Sequence, residues 1–253
     1  QGVLSPNVLF GVQSIFPKDG ALTGMYYDYA MAAPFLAGVH DRGELSILVL
    51  GNGSGTFATQ CNRYFDNVTV EGVEIDGKIT ELAKEYFALS PEVKVTTYDG
   101  RAFLNAVDTR YDIIMVDAYQ DITIPFQMSS VEFFELVRDH LTEGGVMVVN
   151  MNMKGNREDG INRYLADTIA SVFPWVRTVD VSGSTNQELF ACMGEPADLA
   201  GQIAKENNTD LAAMMRRVSD NLQVYEAGDR VMTDDRAPVE LLGMRVIDDL
   251  IRE

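Results

Sequence analysis

The stretch from Ile47 to Asp76, ILVLGNGSGTFATQCNRYFDNVTVEGVEID, joins an apolar run, a glycine-dense turn, a helix-like segment and a second apolar run ending in Glu74. That order is a buried strand, a turn, a helix and a neighbouring parallel strand. Gly51, Gly53 and Gly55 alternate in the turn, where the chain leaves the strand and its backbone must let a ligand come close. Glu74 follows Gly51 by roughly twenty positions, the place of a ribose-binding carboxylate in nucleotide-binding βαβ units. The stretch reads as a nucleoside cradle, with a tight turn that holds no ligand as the alternative.

The sixth place of the turn narrows the nucleoside. A dinucleotide fingerprint wants glycine or alanine there, so that the helix packs tightly and offers its N-terminus to a pyrophosphate. Here the place holds Thr56, followed by Phe57. The pattern is Gly-x-Gly-x-Gly with Ser54 inside it, the form favoured by enzymes that bind S-adenosylmethionine and have no pyrophosphate to hold.

Outward from the cradle, strands and helices alternate. Strands are expected over Ile47–Leu50, Val68–Val73, Val93–Thr97, Asp112–Val116 and Val146–Asn150, with helices over Phe57–Phe65, Ile79–Leu89, Ala102–Ala106 and Ser130–Leu141. Ser129 or Ser130 is the expected N-cap of the last helix and Gly144-Gly145 its stop. A further helix over Asn162–Phe173 and closing strands near Trp175–Val181 and Glu188–Met193 complete the set, with surface helices after them. The fold class is α/β: a doubly wound, mostly parallel, seven-stranded sheet with helices on both faces. Residues 1–30 read as a small N-terminal β-hairpin element and 31–253 as the catalytic domain. Tyr26, Tyr27 and Tyr29 crowd a helix start expected to run to about Val39, as packing residues or as the wall of a lid.

The chain has 253 residues with 20 Lys and Arg against 38 Asp and Glu, a net charge of −18 that would repel nucleic acid. The charge suits a cationic substrate or serves solubility alone. Cys61 and Cys192 lie far apart and His40 and His140 fit no ligand spacing, so neither a disulfide framework nor a metal site is expected. No window reaches the ~18 continuous apolar residues of a membrane span. The chain begins at Gln1, which leaves room for an upstream segment; the expected location is the cytoplasm, or the soluble part of a longer, membrane-attached protein.

Ligands of such sheets sit beyond the carboxyl ends of the strands, where the strand order switches. Polar or acidic residues stand at four of these ends: the glycine turn, Glu74, Asp99 and Asp117. Glu74 can accept hydrogen bonds from both ribose hydroxyls, Asp99 from the exocyclic amine of adenine, and Asp117 lies where the reacting end of the ligand would be. An alkyl group leaving a sulfonium needs an in-line nucleophile, and a protonated amine nucleophile needs a base.

GNGSGT, VEID, DGRAFL, YDIIMVDAYQD, EFFELVRDHLTEGGVMVVN and TDDRAPVE together resemble the spermidine synthase-like family, closest to its branch often fused to membrane transporter segments. The resemblance covers roughly residues 8 to 245. It implies the methyltransferase-type fold, commonly a homodimer, and aminopropyl transfer from decarboxylated S-adenosylmethionine to a diamine or related small cationic amine, with no metal. By the family pattern Gly51, Gly53, Ser54, Gly55, Glu74, Asp99, Gly100 and Gln13 bind the co-substrate, and Tyr27, Asp117, Gln120 and Asp121 serve the reaction. Two positions depart from the pattern. Ser54 replaces an acid inside the turn, and Gln120 stands where the family places its catalytic aspartate, with Asp121 next to it. These departures keep two other functions open: a methyltransferase using S-adenosylmethionine itself, and a catalytically weak domain that binds a nucleoside or polyamine.

Overall fold

A computed structural model describes residues 14–119, 124–151 and 160–244. Two short helices, α1 (Tyr26–Ala30) and α2 (Ala32–Leu36), precede the first strand, β1 (Leu45–Leu50). Ile47 and Val49 of β1 join one apolar cluster and Leu48 and Leu50 the other. A parallel strand covered on both faces needs apolar side chains in both directions, which is why this run shows no polar alternation.

The chain continues through α3 (Thr56–Tyr64), β2 (Val68–Glu74), α4 (Gly77–Tyr86), β3 (Lys94–Thr97), α5 (Gly100–Ala106) and β4 (Tyr111–Val116). A 3-10 turn at Phe126–Met128 leads into α6 (Val131–Asp139) and β5 (Leu141–Met151). Then come α7 (Ile161–Val172), β6 (Trp175–Asp180), β7 (Gln187–Cys192), α8 (Leu199–Ile203), α9 (Thr209–Asn221) and β8 (Gln223–Val224). The strand order is β3-β2-β1-β4-β5-β7-β6-β8. Strands β3 to β5 in that order run parallel, β7 lies antiparallel between β5 and β6, and β8 is antiparallel to β6.

The sheet thus has eight strands where seven were expected. The extra one, β8, is two exposed residues that pair with Arg177 and Thr178 along the free edge of β6. So short a strand leaves no hydrophobic period to read. The helix expected to run to about Val39 is two helices, broken at Met31, because Pro34 has no N–H to offer the carbonyl one turn back. Of the N-terminal element, residues 14–25 carry no strand and 26–30 are helical, while 1–13 lie outside the described residues.

Helix α6 ends at Asp139, and Gly144-Gly145 lie inside β5 instead of stopping the helix. Ser130 is its N-cap, accepting from Phe133 N–H at 3.3 Å. The two glycines sit at an irregularity of the β4–β5 pairing. Tyr111 faces Leu141 but Ile113 faces Val146, so two steps along β4 match five along β5. Gly144 holds φ 79°, and a Cβ on Gly145 would lie 3.0 Å from Asp112 O, a fit that favours glycine at both places. Cys61 and Cys192 are free and buried. Among the described residues no helix is long and apolar enough to cross a membrane.

Candidate active site

The strand order reverses between β1 and β4, so the turns after these two strands part and leave a crevice at the carboxyl edge of the sheet. The glycine turn forms one wall. Gly51, Gly53 and Gly55 hold φ of 87°, 52° and 72°, the left-handed region where a side chain is strained. A Cβ on Gly51 would lie 2.6 Å from Ala118 Cα and Asp117 O, so the turn presses against the end of β4. A Cβ on Gly53 would meet nothing within 4 Å, which leaves that backbone open to a ligand.

Glu74, buried at the end of β2, braces this turn. Its Oε2 accepts from Gly53 N–H at 2.8 Å and its Oε1 from Asp76 N–H at 3.1 Å. The carboxylate expected to hold ribose therefore also fixes the cradle. Ile75 and Tyr98, both exposed, follow Glu74 and its register partner Thr97 on the adjacent strand ends. Asp99 caps α5, accepting from Ala102 N–H at 2.8 Å. Gly100 sits beneath the 3-10 turn, where a Cβ would approach Met128 Cε at 3.2 Å.

Arg101 ties this corner to the end of the described chain. Its guanidinium pairs with both oxygens of Asp234 at 2.7 and 2.6 Å and donates to Gln127 O at 3.1 Å, and Ser130 Oγ donates to the same aspartate at 2.5 Å. Arg101 holds the Asp234 carboxyl below its ordinary range. The TDDRAPVE segment is thus tied through Asp234 to the starts of α5 and α6.

Ser54 Oγ lies 3.0 Å from Thr56 Oγ1, which donates its single proton to Ile15 O at 3.0 Å. With that proton committed, Ser54 must be the donor of the pair, and its oxygen offers the crevice acceptor capacity only.

Strand β4 carries an aspartate at each end, and the two are held differently. Asp112, at the end remote from the crevice, accepts from Ser46 N–H and Oγ and from Thr142 Oγ1, each at 3.0 Å, and pairs with Arg42 at 2.9 Å. Burial pushes its carboxyl up, yet these donors outweigh burial and leave it below its ordinary value. Asp117, at the crevice, has Tyr26 Oη donating to Oδ2 at 2.7 Å and Asn150 Nδ2 donating to Oδ1 at 2.8 Å. Among the described residues no cation joins them. Burial dominates, the charge of Glu74 adds to it, and the Asp117 carboxyl is pushed up to about 7. A carboxyl poised near neutrality can take up or give back a proton at ordinary pH, which is what an acid–base group or an amine anchor requires.

The tyrosines come from the other end of the chain. Asp28, wholly buried, accepts from Gly24 N–H at 2.5 Å and Thr23 Oγ1 at 3.2 Å and so fixes the entry to α1. Tyr26 then reaches Asp117, and the buried Tyr27 lies against it with ring centroids 3.9 Å apart. Tyr27, expected to face the reaction, feels the Asp117 charge, but the direct bond belongs to Tyr26. Tyr29 packs in the core and accepts from Ser182 N–H at 3.2 Å.

Gly51, Gly53, Ser54, Gly55, Glu74, Asp99, Gly100, Asp117 and Tyr27 thus gather around one crevice or its rim. Gln13, Gln120 and Asp121 lie outside the described residues. Four residues not singled out from sequence belong here. Tyr26 was legible only as one of a crowd of aromatics. Asn150, the single polar side chain ending the apolar run VMVVN, is a visible signal, as is Glu188 within QELFAC. Tyr119 Oη donates to Asn150 O and adds a fourth polar group.

A family profile described as the spermine/spermidine synthase domain matches residues 31–181. A probable polyamine aminopropyl transferase of Bifidobacterium longum is 50% identical across 99% of this chain, which spans 60% of that protein's length. Among solved structures, human methyltransferase-like protein 13 in complex with SAH superimposes with a TM-score of 0.64 at 21% identity, covering 80% of this chain and 95% of that one. A probable spermidine synthase from Corynebacterium glutamicum does so with a TM-score of 0.60 at 20% identity, covering 85% of each. At such identities the two superpositions speak for the fold alone.

Proposed function

Because the chain belongs to the spermine/spermidine synthase family, we propose that it moves an aminopropyl group from decarboxylated S-adenosylmethionine to a small cationic amine. The observation that carries this is Asp117: a carboxyl near neutrality, aimed by Tyr26 and Asn150, at the switch point of the sheet. The glycine turn, with Gly53 open to a ligand and Glu74 behind it, suits the adenosyl part. Ile75 and Tyr98 offer apolar surface to the base, beside Asp99. Ser54, whose proton is committed to Thr56, suits an aminopropyl ammonium, which needs an acceptor, better than an amino-acid carboxylate, which needs a donor.

In the reaction the acceptor nitrogen attacks the propyl carbon bound to sulfur. A C–N bond forms, the C–S bond breaks with its electron pair going to sulfur, and the neutral thioether methylthioadenosine leaves. The nitrogen must lose a proton for its lone pair to attack, and an ammonium of pKa near ~10 does not lose it freely at pH 7. Asp117, ionised, holds the ammonium in place by charge and takes up that proton, with Tyr26 and Asn150 keeping the carboxylate oriented.

The test is incubation with decarboxylated S-adenosylmethionine and a panel of diamines, with methylthioadenosine as the readout. Methylthioadenosine formed with at least one diamine is the expected result. Its absence with every amine, or methyl transfer from S-adenosylmethionine in its place, would overturn the proposal.

A further inference from the structure

Asp117 is the first of three polar side chains in a row across the sheet. Val116 pairs with Val149 and Asn150 with Glu188, so Asp117, Asn150 and Glu188 stand at one level on β4, β5 and β7. Alternation along each strand puts all three on the face of Met115, Val148 and Phe190, the face covered by α1. Asn150 is the middle member. Its Nδ2 donates to Asp117 and its Oδ1 accepts from Asn186 Nδ2 at 2.7 Å.

Glu188 is wholly buried, and neither carboxyl oxygen has a hydrogen-bond partner among the described residues. Among the described residues every other buried carboxylate has donors on at least one oxygen, Asp28 on Oδ2 alone. Asp112 has its donors, and Asp167 accepts from Tyr225 Oη at 2.6 Å, Gly228 N–H at 2.8 Å and Arg230 N–H at 3.2 Å, with Arg163 at 3.4 Å. A buried carboxyl with no donor on either oxygen calls for an explanation, and a cationic partner that arrives from outside supplies one. Burial, and after it the charge of Asp117, push the Glu188 carboxyl well above its ordinary range, a direction that favours its neutral form.

We propose that Glu188 is a specificity-determining residue of the amine site, which gains its negative charge when a doubly charged acceptor is bound and so selects diamines over monoamines. The proposal rests on the aminopropyl-transfer function above. One ammonium of the acceptor neutralises Asp117. A second ammonium on the same molecule is an uncompensated cation in a low-dielectric setting, and a carboxyl two strands away, roughly 10 Å at the backbone and less between side chains, is the group that can answer it. A monoamine of equal length brings a methyl group instead and leaves Glu188 neutral.

The experiment compares Glu188→Gln with the unaltered chain, using a diamine and a monoamine of the same length as acceptors. Glu188→Gln is expected to lower kcat/KM for the diamine by about 10-fold or more and for the monoamine by less than about 2-fold, since one close charge pair is lost only with the former. Glu188→Asp, which keeps the charge, is expected to retain the preference and carries the test should Glu188→Gln fail to fold. Equal losses for both acceptors, the mark of a merely structural role, or an unchanged diamine rate would overturn the proposal while leaving aminopropyl transfer standing. An unaltered chain inert toward every amine would overturn both.

Discussion

Replacing Tyr26 with phenylalanine removes one oxygen and with it the 2.7 Å bond to Asp117 Oδ2, while the ring keeps its place against Tyr27. That bond favours the charged carboxylate, and burial opposes it. Losing the donor therefore moves the Asp117 carboxyl further above about 7. A hydrogen bond to a charged group contributes ~1.5–3 kcal/mol, which corresponds to a rise of about one to two pH units. At pH 7 the ionised fraction falls from about one half to about 1–10%, so kcat/KM for the amine drops ~5–50-fold and recovers to within about twofold by pH 9. The assay is the pH profile of kcat/KM for the amine at saturating nucleoside co-substrate, because its acidic limb reports the co-substrate complex before the amine binds. An acidic limb that stays where it was, or a loss of equal size at every pH, would refute the assignment of Asp117 as the ionising group held by Tyr26.

Glu74→Gln puts an amide where two backbone N–H groups point. One of them loses its acceptor, so affinity for the adenosyl ligand should fall ~10-fold or more and stability by ~1–3 kcal/mol, measured by calorimetry and thermal melting; unchanged binding would count against the ribose role. Gly51→Ala forces a Cβ within 2.6 Å of the β4 turn at a φ of 87°, and should cost ~1–3 kcal/mol of stability and most of the adenosyl affinity by displacing Asp117; a melting curve and ligand titration like those of the unaltered chain would refute the close approach.

Much of the fold was legible because its signals are local. A strand buried on both faces must be apolar throughout, a left-handed turn wants glycine, and a helix start wants a serine or aspartate, as at Ser130 and Asp99. These constraints act on neighbouring residues and leave their mark in the string. The acidic residues at the strand ends were legible for the same reason. Residues whose role depends on pairing across the sheet were not. Tyr26 meets Asp117 across 91 positions, and Asn150 meets Glu188 only through strand register. Both glycines of TEGG read as a helix stop, because a glycine pair after a helix and one inside an irregular strand look alike until the partner strand is known.

That irregularity sets the phase of the site. Side chains of a strand alternate between its two faces, so a shift of a single residue sends every one of them to the opposite side. Beyond the uneven stretch around Gly144-Gly145, β5 resumes with Val146 opposite Ile113, and from there the count runs without interruption to Asn150. One residue fewer in TEGG would turn Asn150 away from α1 and strand Asp117 without its amide, though nothing within reach of the crevice had changed. The two glycines work as a timing device at the far end of the strand, and the chemistry at the near end keeps their beat.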